Sequence, residues 1–136
     1  MKATVSYQEL ERLVTEQTKQ PIHFEFIDNK TIKVSYQIKI GFIKKDLGVN
    51  LRVLDISGTD LRVRYSTGFG MDNLVGIALN MVRSRIPEGL MEEYPDQVLL
   101  VHLEKLDRLK PFFERFEMRD LRMTEEEVVV ELAVGS

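Results

Sequence analysis

From Ile32 to Ile40 the chain alternates without a break: Ile32, Val34, Tyr36, Ile38 and Ile40 are apolar, and Lys33, Ser35, Gln37 and Lys39 between them are polar. Side chains on a strand point to opposite faces in turn, so this run predicts a strand with one dry and one wet face. A strand wet on one side belongs to an antiparallel sheet, because parallel sheets are covered on both faces. The neighbouring segments repeat the pattern. Phe24 and Phe26 alternate with His23 and Glu25 before a turn at Asp28-Asn29-Lys30. Leu47, Val49, Leu51 and Val53 alternate with Gly48, Asn50 and Arg52, and Leu61, Val63 and Tyr65 with Arg62 and Arg64. Gly41 marks a bend, Lys44-Lys45-Asp46 a turn, and Ser57-Gly58-Thr59-Asp60 another. Short turns between such strands predict a meander.

Helical signals flank this region. Ser6 stands three residues before Glu9, the spacing of a capping box, and Tyr7, Leu10, Leu13 and Val14 recur at helical intervals. That helix is expected to end near Lys19, since Pro21 biases Gln20 out of the helical region. A second helix is predicted over residues 71–86, after Gly68-Phe69-Gly70 and a cap at Asp72. Leu74, Val75, Ile77, Ala78, Leu79, Met81 and Val82 make it apolar round nearly its whole circumference until Arg83 and Arg85. Such a helix must be buried on most sides. Residues 88–96 read as an acidic loop, Val98–Leu103 as a strand, and Asp107–Phe116 as a short third helix with Pro111 in its first turn. Met118, Leu121 and Met123 suggest an edge strand, and Val128–Val134 a strand that closes the sheet. The expected architecture is α+β over residues 1–136 as one domain: a strongly bent antiparallel sheet wrapped around the central apolar helix.

The chemistry of the chain is mostly exclusion. There are 136 residues with no cysteine and only two histidines, His23 and His102, so thiolate catalysis, disulfides and sulfur-ligated zinc are excluded. Gly68-Phe69-Gly70 is followed by Asn73 where a dinucleotide fingerprint needs its third glycine, and no P-loop is present. Ser6, Ser35, Ser57, Ser66 and Ser84 lack the flanking glycines of a nucleophile elbow. His23 and Glu25 share a strand face and, with His102, imitate a metal triad, but a solvated histidine beside a surface glutamate accounts for them. No catalytic residue, metal or cofactor is expected. Lys33, Lys39, Arg52, Arg62 and Arg64 all fall on wet positions of neighbouring strands. With a net charge of −3, an ordinary solvated face explains them better than contact with the phosphates of lipid headgroups or nucleic acid, and no specific nucleic-acid binding is expected. The start of the chain shows no export signal, and no stretch reaches about 18 apolar residues, so a cytoplasmic protein touching membranes at most peripherally is expected.

Two segments carry a resemblance. The run VNLRVLDISGTDLRVRYSTGFGMDNLVGIALNMV, followed by LLVHLEKLDRLKPFFERFEMRDLRMTEEEVVVELAV, is similar in order and pattern to small bacterial relatives of tubular lipid-binding proteins, over about residues 22–134. The resemblance implies acyl-chain binding between a curved sheet and a long helix. It would place Leu74, Ile77, Leu79 and Met81 of the helix and Val34, Tyr36, Ile38, Val63 and Tyr65 of the sheet around the ligand. Arg83 and Arg85, at the helix C-terminus where the backbone dipole favours cations, would meet an anionic headgroup. The expectation is a non-enzymatic binder of a fatty acid or lipid; the alternative is a protein-interaction or homodimeric scaffold in which a partner covers the same helix.

Overall fold

The computed structural model describes residues 1–19, 21–67, 76, 80, 84 and 86–135, with Ile38 and Ile40 described by backbone alone. The expected antiparallel sheet is present, but it is two sheets rather than one. Strand β1 (Lys2–Ser6) leads directly into helix α1 (Tyr7–Thr18). Strands β2 (Ile22–Asp28), β3 (Thr31–Ile40), β4 (Ile43–Ser57) and β5 (Asp60–Thr67) follow in sequence as a meander. After residues 68–86 come β6 (Met91–Tyr94) and β7 (Val98–His102), a 3-10 turn at Leu103–Lys105, helix α2 (Lys110–Phe113), β8 (Phe116–Met123) and β9 (Glu127–Val134). The larger sheet has the order β2-β3-β4-β5-β7-β6 and the smaller β1-β9-β8, all pairs being antiparallel.

The first helix forms where its local chemistry places it. The Ser6 hydroxyl accepts from the Glu9 amide at 3.1 Å, and Glu9 Oε1 accepts from the Ser6 amide at 3.3 Å, which closes the capping box. Lys19 ends the helix in the left-handed region at φ 60° and donates to the Thr15 carbonyl. Glu11 Oε1 accepts from the Phe24 amide at 2.8 Å, tying the helix to β2.

Several boundaries differ from the sequence expectation. Lys44-Lys45-Asp46 lies within β4, not in a turn; the chain reverses earlier, at Gly41-Phe42, where Gly41 takes φ +64°. Part of the expected acidic loop is β6, which adds to the sheet by pairing with β7. The third helix shrinks to one turn, capped by no side chain, because Phe116 is drawn into β8 opposite Val134. The smaller sheet owes its existence to β1, a five-residue strand whose alternation is too short to read. The helix expected over 71–86 lies outside the described residues, Gly76, Asn80, Ser84 and Ile86 excepted. Gly76 and Asn80 are helical, and both are exposed, as is Ser84.

The core sits between the two sheets. Ile32, Val53, Val63 and Leu99 of the larger sheet bury against Leu121, Met123 and Val128 of the smaller, with Tyr7 and Leu10 of α1 packed on them. The smaller sheet is pinned over the end of the larger where its β2–β3 and β4–β5 turns lie. The Met118 amide donates to the Gly58 carbonyl at 2.8 Å, and the Met123 amide to Asn29 at 2.8 Å. Lys30 Nζ donates to Asp120 Oδ1 at 2.7 Å and to the Leu121 carbonyl at 2.6 Å. Among the described residues, no helix is long and apolar enough to cross a membrane.

Two substitutions test this packing in opposite directions. Leu121→Ala should cost about 2–5 kcal/mol, read as a lower denaturation midpoint at constant slope. Gly76→Ala should stabilise by about 0.5–1 kcal/mol, because a helical glycine gains from reduced chain entropy. An added Cβ there meets nothing within 4 Å.

Candidate functional site

Two places hold side chains in arrangements that a fold alone does not require. The first is the dry face of β3, β4 and β5 toward the end of the strands away from the smaller sheet, where Val34, Leu51 and Tyr65 lead on from the two-sheet core. Strand register sets Tyr36 opposite Leu47, Val34 opposite Val49 and Leu51 opposite Tyr65. Leu47 is wholly buried at 0% exposure and Val49 is buried beside it, and the apolar neighbours described around the pair are Tyr36, Leu51 and Tyr65. All of these belong to the larger sheet. Burial pushes the Tyr36 hydroxyl up to about 12, so it stays a neutral phenol set into an apolar wall.

This wall brings together Val34, Tyr36 and Tyr65 of the residues expected at a ligand. Val63 lies on the same face but farther toward the turns, buried in the core between the sheets. The side chain of Ile38, together with Leu74, Ile77, Leu79, Met81, Arg83 and Arg85, lies outside the described residues. Sequence reasoning missed Leu47 and Val49 as part of the wall, although their alternation was legible; it gave no reason to prefer one stretch of the dry face over another.

The second place is polar. His102 ends β7 directly opposite Asp60 at the start of β5, and its Nδ1 lies 2.8 Å from Asp60 Oδ1. Its Nε2 lies 3.4 Å from Glu92 Oε1 on β6. Glu104, in the 3-10 turn, accepts a hydrogen bond from the Thr59 hydroxyl, which also lies 3.4 Å from Asp60 Oδ1. Donor atoms of Asp60, His102 and Glu104 fall within 4.8 Å of one another. The arrangement gathers three carboxylates about one imidazole, and it can hold a single cation or a proton on His102. The Asp60 hydrogen bond, reinforced by both nearby carboxylate charges, holds the imidazole above its ordinary range against a smaller opposing effect of burial. His102 is thus a hub that joins β5, β6 and β7, and its neighbours favour its protonated form.

The triad that the sequence suggested and discounted is not assembled. His23 Nδ1 lies 3.7 Å from Glu11 of α1, and His23 is exposed. Glu25 is opposite Lys33, and His102 belongs to a different cluster. The basic residues of the wet face are likewise interleaved with acids: Arg62 bonds Asp55, and the Asp28 carboxyl, held below its ordinary range chiefly by the Lys30 amide and the Thr31 hydroxyl, also feels the charge of Arg52. Arg52 and Arg64 face each other across β4 and β5. No family model, curated protein or solved structure matches the chain.

The histidine cluster makes a prediction about pH. A raised folded-state pKa means that the protonated hub stabilises fully below the ordinary histidine value of about 6.5, and that this contribution is lost as pH rises through the raised value. Denaturation midpoints should therefore fall across that window, and His102→Gln should remove that part of the slope. An unchanged slope in the variant would assign the pH dependence to other groups.

Proposed function

We propose that the protein is a non-enzymatic binding module for a long-chain amphiphile, a fatty acid or lipid, held against the apolar wall of β3–β5. The observation that carries this reading is the continuation of the dry face past the two-sheet core, where the apolar neighbours described around Leu47 and Val49 all come from the same sheet. In this reading the segment 71–86 supplies the opposite wall, with Leu74, Ile77, Leu79 and Met81 toward the tail and Arg83 or Arg85 toward an anionic head. A tail needs no catalytic group, only exclusion of water, and each buried methylene contributes about 0.8 kcal/mol. Tyr36 gives the wall one neutral polar handle.

Displacement of a fluorescent fatty-acid probe tests the proposal directly. The wild type should bind with micromolar affinity, Met81→Glu should weaken binding more than tenfold, and Arg83→Ala with Arg85→Ala should weaken anionic amphiphiles more than neutral ones. If the wild type takes up no probe and native mass spectrometry finds no co-purified lipid, the reading fails. A clean doubled mass in the same measurement would favour the homodimeric scaffold instead.

A further inference from the structure

The β3–β4 hairpin extends well beyond its neighbours. Among the described residues, strand β2 pairs with β3 as far as the Ile22–Tyr36 position, and β5 pairs with β4 from Val49 onward. Beyond those points, among the described residues, the register continues in two strands: Gln37 opposite Asp46, Ile38 opposite Lys45, Lys39 opposite Lys44 and Ile40 opposite Ile43. Four pairs at about 3.3 Å per residue make a finger of roughly 13 Å. It points away from the end where the smaller sheet is pinned. Every residue from Gly41 to Asp46 is exposed.

The composition of this finger is costly for a wet hairpin. Phe42 stands fully in solvent at 107% exposure, and Ile43 beside it at 68%. Exposed apolar residues scattered singly are ordinary, but these two are adjacent at a protruding tip. Lys39 and Lys44 face each other directly, and like charges in that position destabilise a strand pair. Lys45 adds a third cation. The acid within the finger is Asp46, at its base, where Gln37 Nε2 donates to it at 3.4 Å. An isolated two-stranded ribbon is marginal in water even with favourable pairs.

We propose that this finger docks the protein on an anionic lipid bilayer, Phe42 and Ile43 entering the boundary between headgroups and acyl chains while Lys39, Lys44 and Lys45 meet the lipid phosphates. Each element of the arrangement fits that surface: an aromatic and an aliphatic residue at the tip, cations a step behind it, and no acid before the base. The like-charge pair that weakens the hairpin in water becomes favourable where anions lie between the two lysines. A site for a soluble anion would not need the exposed phenylalanine, and a purely apolar protein partner would not need three lysines. The inference stands apart from the amphiphile-binding reading, since the finger's residues are not those of the wall.

The test is co-sedimentation with vesicles of phosphatidylcholine, with and without phosphatidylglycerol, using the full chain. Wild type should bind the anionic vesicles in preference, and added salt should weaken binding. Lys39→Gln, Lys44→Gln and Lys45→Gln together should weaken it about a hundredfold, at roughly fivefold per lysine. Phe42→Ser with Ile43→Thr should weaken it at least tenfold. Both variants alter exposed positions, so unchanged circular dichroism and denaturation midpoint would exclude misfolding as the cause. Absence of vesicle binding overturns the proposal, as does equal binding to zwitterionic vesicles or indifference to the tip substitutions. Self-association abolished by Phe42→Ser, in place of vesicle binding, would assign the tip to a second copy of this chain and overturn it too. Retained uptake of the soluble fatty-acid probe by the tip variants would separate failure here from failure of the amphiphile reading.

Discussion

The dry face of the six-stranded sheet must be covered, and the described chain covers it unevenly. At the end bearing the β2–β3 and β4–β5 turns, the three-stranded sheet supplies Leu121, Met123 and Val128 against Ile32, Val53, Val63 and Leu99. Docking there is specific because backbone groups at the turns are satisfied across the junction, Asn29 and Gly58 each accepting from β8. Lys30 adds a clamp whose ammonium holds the Asp120 carboxyl below its ordinary range. Everything farther along the strands, first the wall around Leu47 and then the finger, extends from this anchored end.

Period-2 alternation made the meander legible because it reports which side chains share a face, whatever the partner strand is. It says nothing about which sheet a strand joins, so β8 and β9 read as the closing strands of one sheet. Recognising the second sheet required β1, whose Ala3 and Val5 offer only two apolar beats. Alternation also breaks at register shifts. Between Val53 and Asp55 one extra residue turns Asp55 to the wet side opposite Arg62 and returns Ile56 to the core opposite Leu61. Similar shifts follow Phe26 and Met118. The turn expected at Lys44-Lys45-Asp46 failed for a related reason. Three charged residues in a row resemble a solvated turn, but a protruding two-stranded hairpin is solvated along its whole length.

The polar cluster was illegible for a different reason. Asp60 and His102 are 42 residues apart, and only the pairing of β5 with β7 sets them opposite each other. Glu92 arrives on a strand that had read as an acidic loop. Their proximity concentrates negative charge at one corner of the sheet, which favours the protonated form of His102. A neutral ring would leave Asp60 and Glu92 facing each other across it, so the corner's cohesion is tied to pH in a way the buried apolar core is not.

Those two ends of the sheet embody opposite compromises between folding and binding. At the anchored end Ile32, Val53, Val63, Leu121, Met123 and Val128 are buried together and Lys30 pairs with Asp120, so the arrangement serves stability. At the finger, an exposed phenylalanine, an exposed isoleucine and two lysines facing each other all work against a stable hairpin in water. Replacing them with polar and oppositely charged residues would improve the hairpin without disturbing the core, which is remote along the same strands. A sequence that keeps the unfavourable set is explained by folding energetics only if something outside the fold compensates. An anionic, partly apolar surface compensates for both unfavourable features at once, because it offers phosphate to the lysines and a low-dielectric boundary to the tip. A finger anchored to a packed two-sheet core presents its tip without first having to order the chain beneath it, which lowers the entropy lost on docking.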